Sequence, residues 1–343
     1  MASVIQIYDK SGNYLTEVEA TISRWWKLNE FGKATFELST TDEKCTEKNL
    51  EFGNLIYVSH PKLPAWGGMI DTPREWRKGS VIVSIYSGPY LLKTGITQRS
   101  QTVAGPYGSI FRALLEESFD SADYNVIRAG EIFGGGPSVK REYNFAPLYD
   151  EIRNLAVESG NDFEIEPIID VNGRLYFSAN WHKRKEFRTG YTLFEDLNLE
   201  LPQVFMREQG IIANKLRLFG DGATFSSRPT ARVQDNESIA KFGARFLAKS
   251  VSGGADEVSD AAEEMIKVYA WPRKTFELTV ADDPEGVKKN FENCRIGNIL
   301  KLEYYSVGFS GSGFGVEAEA RILQMYYDDE ANKLKLIIDQ EAE

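Results

Sequence analysis

The chain has 343 residues, 42% of them hydrophobic and 27% charged, which are ordinary values for a folded protein and exclude a disordered or fibrous chain. Fifty-one acidic residues against 40 basic ones give a net charge of −11, which disfavours a surface that binds nucleic-acid phosphates. No apolar run reaches the roughly 18 residues of a membrane span, and the first residues do not resemble a signal peptide, so we expect a protein made in the cytosol. One hydrophobic core supports roughly 250 to 300 residues, so two or three domains are expected.

The first part of the chain, residues 1–100, has the alternation and turns of a small antiparallel β-barrel. A hairpin over 5–18 opens it, with Asp, Gly and Asn supplying the turn conformations. Strands over 20–28 and 33–39 flank a second turn that contains glycine. Three more strands follow, over 56–59, 68–71 and 81–87.

Trp25 and Trp26 are adjacent in one of these strands. Neighbouring strand residues point to opposite faces, so one of the two rings is expected to face outward. It is then either an anchor for a partner or part of an edge covered by the chain's own loop. This pair is the candidate interface that the sequence offers.

Residues 101–188 predict a small α+β domain. Ser109 can cap a helix over 110–118, and a second helix over 148–158 ends before Gly160. A hairpin follows, with strands over 163–169 and 174–181 around Val171-Asn172-Gly173.

Residues 189–343 predict a second β-barrel, in which the strand over 211–219 takes the place that 20–28 holds in the first. A helical insertion over 220–272 then interrupts it. The pattern predicts two helices there, over 237–249 and 257–270. Hairpin tips tolerate such insertions.

The two barrel regions share short motifs in the same order. Residues 35–39 read Thr-Phe-Glu-Leu-Ser and 275–279 read Thr-Phe-Glu-Leu-Thr, and a Gly-Asn pair follows each, at 53–54 and 297–298. The period is far longer than that of a solenoid, so we interpret it as one barrel occurring twice. The predicted fold class is mainly β, with two similar antiparallel, tube-type barrels, an α+β domain between them and a helical insertion in the second. Two similar barrels per chain favour a ring-building protein, because three chains would present six barrels around one axis.

Few residues are typical of catalysis or metal binding. His60 and His182 are the two histidines of the chain, and neither lies in a recognisable metal-binding or nucleophile motif. Cys45 and Cys294 lack metal or redox spacing, and we interpret both as small buried hydrophobes. Residues 182–188 are basic, either a charged linker or a docking patch for an acidic partner or DNA. We predict no catalytic, cofactor-binding or metal site, and no enzymatic activity.

The ordered set of motifs resembles the baseplate hub (tail-tip hub) family of long-tailed bacteriophages, including the hub portion of tail-associated lysin proteins. The pieces that carry the resemblance are the opening hairpin, Leu28-Asn29-Glu30-Phe31-Gly32, Trp66-Gly67-Gly68-Met69-Ile70, the 88–92 segment and Asp235-Asn236-Glu237-Ser238-Ile239. The likeness covers nearly the whole chain.

The resemblance implies a homotrimeric ring with two barrels per subunit, pseudo-sixfold beneath a hexameric tail tube, at the tip of the virion tail. The expected partners are a second and third copy of the chain, the tail tube or a distal tail protein ring, and a tail fibre, spike or lysin component. DNA would pass through the ring without specific binding, so we expect a neutral or acidic channel wall. Long members of the family continue into a peptidase, lysozyme-like or fibre domain. Here the chain stops soon after the last barrel strand, so wall digestion or receptor binding is expected from another chain.

Two alternatives stay open at the level of sequence. One is another tail-tip ring protein, such as a hexameric distal tail protein. The other, of a different class, is a cell-wall hydrolase or carbohydrate-binding module. A glycosidase needs two carboxyl groups at a set distance, and the number of Asp and Glu residues does not show whether such a pair exists.

Overall fold

Antiparallel strands form most of the structure. The structure is a computed structural model that describes residues 3–71, 74–97, 101–119, 126–184, 188–194, 197, 199–200, 205–209, 212–222, 224–251, 253–271, 273–281, 291–304 and 316–340. These parts are mainly β, with α+β segments in the middle and in the second half, and the predicted fold class is confirmed at this level. No helix within these ranges is long and apolar enough to cross a membrane.

The first repeat is built from eight strands, namely β1 (Val4–Tyr8), β2 (Tyr14–Val18), β3 (Ile22–Lys27), β4 (Lys33–Ser39), β5 (Leu55–Ser59), β6 (Trp66–Ile70), β7 (Glu75–Arg77) and β8 (Ser80–Ser87). They form one sheet in the order β3-β4-β8-β6-β5-β1-β2, with β7 paired to β8. Alternation sets the core: Ala34, Phe36 and Leu38 of β4 are buried while the residues between them are not. Each fully buried large apolar side chain contributes about 1.5–3 kcal/mol.

The middle segment follows a 3-10 helix over Gly88–Thr94 and packs two helices on a small sheet. Its elements are β9 (Gln101–Pro106), α1 (Tyr107–Phe119), β10 (Ile127–Ile132), β11 (Ser138–Tyr143), α2 (Leu148–Ser159), β12 (Asp162–Ile169) and β13 (Leu175–His182). Strands β10, β13 and β12 form a mixed sheet, and β9 pairs with β11. Both predicted helices and the predicted hairpin are confirmed, but α1 begins at Tyr107, so Ser109 lies inside the helix and the predicted cap is wrong. Gly160 ends α2 in the left-handed conformation, with φ 65°.

The second half holds the second repeat and a segment inserted into it. Its elements are β14 (Arg188–Phe194), β15 (Phe205–Gln209), β16 (Lys215–Phe219), β17 (Thr230–Gln234), α3 (Asn236–Phe242), β18 (Phe246–Ser250), α4 (Ala255–Tyr269), β19 (Arg273–Val280), β20 (Ile299–Tyr304), β21 (Val316–Asp328) and β22 (Lys333–Gln340). Strands β15, β19, β22, β21 and β20 are neighbours in that order, and β14 pairs with β20. The sheet β17-β16-β18 belongs to the inserted segment.

The repeat predicted from the Thr-Phe-Glu-Leu motifs is present in the strand pairing. Phe36 of β4 lies opposite Val83 of β8, and Phe276 of β19 lies opposite Ile338 of β22, antiparallel in both cases. Both phenylalanines are buried, at 2% and 0% exposure. The two motifs therefore occupy the same topological position in the two repeats.

The Gly-Asn pairs form matching turns. The amide of Gly53 donates to the carbonyl of Ile70 at 2.8 Å, and that of Gly297 donates to the carbonyl of Ile322 at 2.9 Å. Both glycines have φ above 80°, a conformation that other residues rarely adopt. The two repeats thus share equivalent hydrogen bonds as well as equivalent strands.

Two predictions about the second repeat are wrong. The counterpart of β3 is β15, which pairs with β19 as β3 pairs with β4, whereas the strand predicted over 211–219 lies in the inserted sheet as β16. The inserted segment is also not purely helical. The helix predicted over 237–249 ends at Phe242, before Gly243 with φ 75°, and Phe246–Ser250 pairs in parallel with β16 instead.

The two repeats join edge to edge. Strand β3 of the first pairs antiparallel with β21 of the second, so that both belong to one 14-stranded sheet. The predicted barrels are accordingly not closed cylinders. Within the described ranges, β2 and β15 are the ends of the main strand path.

We expect Gly68→Ala to destabilise the first repeat strongly. A Cβ at this position would lie 2.0 Å from the carbonyl oxygen of Tyr86, a backbone atom that cannot move without disturbing β8. Overpacking of this kind costs about 1–3 kcal/mol or more of unfolding free energy, measurable by urea denaturation. Gly134→Ala is the control, because an added Cβ there meets no atom within 4 Å and a change within about 0.5 kcal/mol is expected. Equal stability of the two variants would contradict this packing.

Candidate functional site

The seam between β3 and β21 is the contact that joins the two repeats. Trp25 lies opposite Tyr326 across it, with ring centroids 4.7 Å apart. The indole Nε1 of Trp66, in the Trp-Gly-Gly-Met-Ile motif, donates to the carbonyl of Trp25 at 2.9 Å. The motif therefore supports the seam from inside the first repeat.

A buried arginine lies beside the same seam. Arg24 is fully buried, and its guanidinium lies 5.2 Å from the ring centroid of Trp26 and 5.0 Å from that of Tyr327. Its Nη1 donates to the hydroxyl of Ser3 at 2.8 Å, and that hydroxyl donates to Asp329 at 2.8 Å. The faces of the two rings, and the carboxylate of Asp329 acting through the Ser3 hydroxyl, thus stabilise the buried guanidinium between the repeats.

Burial lowers the pKa of Arg24 to about 10, while the negative charge of Asp329 acts in the opposite direction. The group stays protonated at neutral pH. Its Nε and Nη2 have no hydrogen-bond partner among the described atoms, so the flanking rings carry much of its stabilisation. Because burial disfavours this charge, the packing of the rings and the strand pairing around it must keep the seam closed.

The hairpin between β3 and β4, residues 28–32, connects three parts of the molecule. The amide of Leu28 donates to the carbonyl of Leu323 in the second repeat at 3.0 Å. Glu30 accepts from Arg153 of α2 at 2.8 Å. The amide of Gly32 donates to Ser87 of β8 at 2.7 Å.

Asn29, with φ 55°, brings the same hairpin to a buried ion pair. Asp162, at the start of β12, forms a salt bridge with Arg321 of β21, and their side chains are 2% and 9% exposed. The amide of Asn29 donates to the same carboxylate at 3.0 Å, and its oxygen accepts from the backbone of Phe163 at 2.8 Å. One carboxylate thus joins the first repeat, the middle segment and the second repeat.

Phe31 extends the hairpin into an aromatic cluster. Its ring makes edge-on contacts with Tyr86, Tyr90 and Tyr149, with centroids between 5.2 and 5.7 Å apart. The ammonium of Lys93 lies 4.4 Å from the Phe31 centroid. Such pairs contribute about 0.5–1.5 kcal/mol beyond area burial, which adds to the connection between the first repeat and α2.

A cavity of about 280 Å³ opens between the three parts, bordered by Trp25, Trp66, Phe163, Pro167 and Arg295 among others. Among the residues that the structure describes, its lining includes Ser87 and the carboxylates Glu30, Glu164 and Glu166, but no histidine or cysteine. The part of the chain that the structure describes holds no group of three or more His, Cys, Asp or Glu residues able to bind a metal ion. The cavity therefore lies at a junction, and its described lining contains carboxylates but no recognisable nucleophile–base pair and no metal-binding group.

The structure places both candidate interface residues, Trp25 and Trp26, at the seam inside one chain. Both are half-buried, and Trp26 packs against the cores of both repeats. Of the two roles the sequence left open, their position fits cover by the chain itself. A role for either as an anchor between subunits stays a prediction.

The other singled-out residues have structural contacts. His60 accepts from the amide of Lys62 at 3.1 Å and its ring lies against Tyr327, while His182 lies 3.7 Å from Glu164. Cys294 is fully buried as expected, whereas Cys45 is half-buried. In the basic 182–188 segment, residues 185–187 lie outside the described ranges.

Sequence reasoning missed the charged residues of the junction. Arg24 lies between Ile22 and Trp26 on one side of its strand, so the alternation placed it on a buried face and could have identified it. Asp162 and Arg321 are 159 residues apart, and no pattern in the sequence around either residue indicates that they form a salt bridge.

Comparison with known proteins identifies the fold. No protein-family model matches the sequence, and no curated protein matches it either. Three solved structures resemble the chain over almost its whole length: a prophage tail protein from Listeria monocytogenes (TM-score 0.63, 12% identity, 100% of this chain and 96% of the other), a 43 kDa prophage tail protein from Shewanella oneidensis (0.62, 13%, 99% and 98%) and a tail protein from Neisseria meningitidis (0.59, 10%, 99% and 97%). The chain has the fold of these tail proteins, and the resemblance to the baseplate hub family is confirmed at the level of the fold.

We expect Asp162→Asn to cost about 3–5 kcal/mol of unfolding free energy, because it leaves Arg321 buried without its counter-charge. Urea denaturation measures this. Glu51→Gln is the matched control: Glu51 forms an exposed pair with Lys10 at 2.7 Å, and its loss should cost less than about 1 kcal/mol. Adding Arg321→Met to Asp162→Asn should recover part of the loss. Equal, small effects of the two single changes would contradict the role given to the buried pair.

Proposed function

We propose that this protein is a non-enzymatic structural hub of a phage or prophage tail tip. Three copies form a ring that joins the tail tube to the distal host-recognition apparatus and surrounds the DNA exit channel. Each copy contributes two repeats, so the ring has three chains but six similar sectors. Such a ring can match a hexameric tube on one face and threefold components on the other.

The observation that carries this proposal is the edge-to-edge joining of two equivalent repeats in one chain. The repeats agree in strand order around β4 and β19, and β3 pairs with β21 to continue one sheet into the other. A surface that joins repeat to repeat in a fixed direction generates a ring when the rotation closes. The fold of the neighbouring tail proteins supports the same assembly class.

The rigidity of the junction also supports the proposal. The Asp162–Arg321 pair joins the middle segment to the second repeat, Asn29 of the first repeat donates to the same carboxylate, and the buried Arg24 lies at the seam. A ring whose subunits contain a flexible hinge would close at variable size, whereas one built from fixed pairs of repeats closes at one size. The net charge of −11 agrees with a channel that DNA crosses without binding, because a neutral or acidic wall does not hold phosphates.

The number of copies in a complex tests this function. Co-expressed with the products of neighbouring tail genes, the chain should be recovered in complexes holding three copies, counted by native mass spectrometry. Partners are included because they can stabilise an assembly that is weak by itself. A complex with six copies would instead identify a hexameric ring protein and overturn the proposal.

The absence of hydrolytic activity is a second expected outcome. The purified chain should leave no clearing in zymograms of Gram-positive cell walls, with lysozyme as the positive control. The described lining of the junction cavity contains no histidine or cysteine, so Glu30, Glu164 and Glu166 are the residues there that a wall hydrolase could use. Clearing that disappears when one specific pair of acidic residues is replaced would show that the protein is a wall hydrolase.

A further inference from the structure

The segment inserted into the second repeat has one sheet face that is largely exposed. Helix α4 packs on the opposite face, where Leu216 and Leu218 of β16 are buried against it. We propose that the exposed face binds an acidic segment of another tail protein. The inference rests on the proposed role in a tail, because that role supplies the class of partner.

Alternation along three strands determines which residues lie on the exposed face. Strand β16 is central, antiparallel to β17 and parallel to β18. Because Leu216 and Leu218 point towards α4, the residues between and beside them point away from it. The outer sheet face therefore consists of three residues from each strand, namely Lys215, Arg217 and Phe219 of β16, Thr230, Arg232 and Gln234 of β17, and Phe246, Ala248 and Ser250 of β18.

The outer sheet face is basic although the chain as a whole is acidic. Its charged residues are Lys215, Arg217 and Arg232, and it holds no acidic residue from these three strands. None of the three cations forms a salt bridge with another residue that the structure describes. In a chain with a net charge of −11, this concentration of unpaired positive charge indicates a surface that binds anions.

The two arginines lie directly opposite each other. Arg217 of β16 pairs with Arg232 of β17 across the antiparallel ladder, and both side chains are exposed. Opposite residues have Cβ atoms about 4.5–5.5 Å apart, and like charges at that distance destabilise the strand pair. A carboxylate between the two guanidinium groups would remove this repulsion and accept charge-assisted hydrogen bonds from both. The pair is therefore arranged for an anionic group that the described part of the chain does not supply.

The two aromatic rings favour an acidic protein segment over a nucleic acid. The ammonium of Lys215 lies 5.3 Å from the centroid of Phe246, and the guanidinium of Arg217 lies 5.1 Å from that of Phe219. Single-stranded nucleic acids bind such faces by stacking bases on aromatic rings, whereas here cations of the chain lie over both rings. The net charge of −11 also repels a long polyanion.

An acidic segment with an apolar side chain would match the rest of the face. Its carboxylates would pair with the three cations, and its apolar side chain would cover Phe246, which is 78% exposed. Five residues at about 3.3 Å each, on strands about 4.8 Å apart, give a face about 16 Å long and about 10 Å wide. A face of this size accommodates one extended segment of about five residues.

The position of the outer sheet face in the repeats sets the number of partners. The inserted segment lies between β15 and β19, whereas residues 28–32 alone connect β3 to β4 in the first repeat. Each chain therefore offers one such face, and a ring of three chains would bind three acidic segments. A second copy of this chain and a nucleic acid are the competing occupants that the experiment separates.

Photo-cross-linking in the assembled complex identifies the occupant. The chain, with the photoreactive p-benzoylphenylalanine in place of Phe246, is co-expressed with the products of the neighbouring tail genes and irradiated. We expect a covalent product with another tail protein, in which mass spectrometry places the link beside several Asp or Glu residues. The same replacement of Tyr14, which is 52% exposed on β2, should not link to that segment. A product with nucleic acid or with a second copy, or no product in a three-copy complex, would overturn this inference.

Removing the two arginine charges provides an independent measurement. The variant Arg217→Gln/Arg232→Gln should bind a labelled synthetic peptide of the cross-linked segment about tenfold or more weakly, because hydrogen bonds to charged groups are lost. Fluorescence anisotropy measures this. The control Lys10→Gln/Lys249→Gln has the same net charge, changes exposed lysines outside the outer sheet face, and should bind as the wild type does.

Urea denaturation separates lost binding from lost folding. Because the arginine variant removes a like-charge pair, its unfolding midpoint should equal or exceed that of the wild type. Unchanged peptide binding by the arginine variant, or equal losses in the two variants, would show that the outer sheet face is not the binding surface. A complex with six copies would instead overturn the proposed function, whatever occupies this face.

Discussion

A single buried carboxylate fixes how the parts of this protein sit relative to one another. Asp162 belongs to the middle segment, Arg321 to the second repeat, and Asn29 to the first, and all three meet at that one carboxylate. Removing an ion pair from water costs several kcal/mol per ion, and the attraction between the partners offsets this only when geometry and hydrogen bonds are satisfied. The amide of Asn29 supplies one of those hydrogen bonds. The interaction therefore selects one arrangement of the three parts more than it adds stability, and the β3–β21 seam depends on that arrangement.

The repeats keep their strand pairing and differ where they connect to the rest of the chain. In the first, the chain turns from β3 into β4 through residues 28–32, and this turn contacts β21, β12, α2 and β8. In the second, the chain between β15 and β19 carries the inserted segment with β16, β17, α3, β18 and α4. The same connection thus contacts the other parts of the chain in the first repeat, whereas in the second repeat it carries an inserted segment.

The parts of the fold that depend on local sequence could be predicted. The Thr-Phe-Glu-Leu strands and the Gly-Asn turns identified the repeat, and Gly160 marked the end of α2, because alternation and positive φ are encoded within a few residues. The helix predicted over 237–249 failed because a tertiary partner, β16, took Phe246–Ser250 into a sheet. The choice between β15 and 211–219 failed for the same reason, since both segments have strand patterns and only pairing separates them. The Asp162–Arg321 pair and the burial of Arg24 depend on contacts across the whole chain, beyond the reach of periodicity.

The central claim is that two equivalent repeats per chain become six around one axis. A reconstruction of the assembled tail by electron cryo-microscopy tests it most directly, because it shows copy number, position and channel wall together. The account predicts three copies at the tail tip, with six repeats around a neutral or acidic channel. A copy number other than three, or a channel lined by this chain with a ring of lysine and arginine side chains, would contradict it.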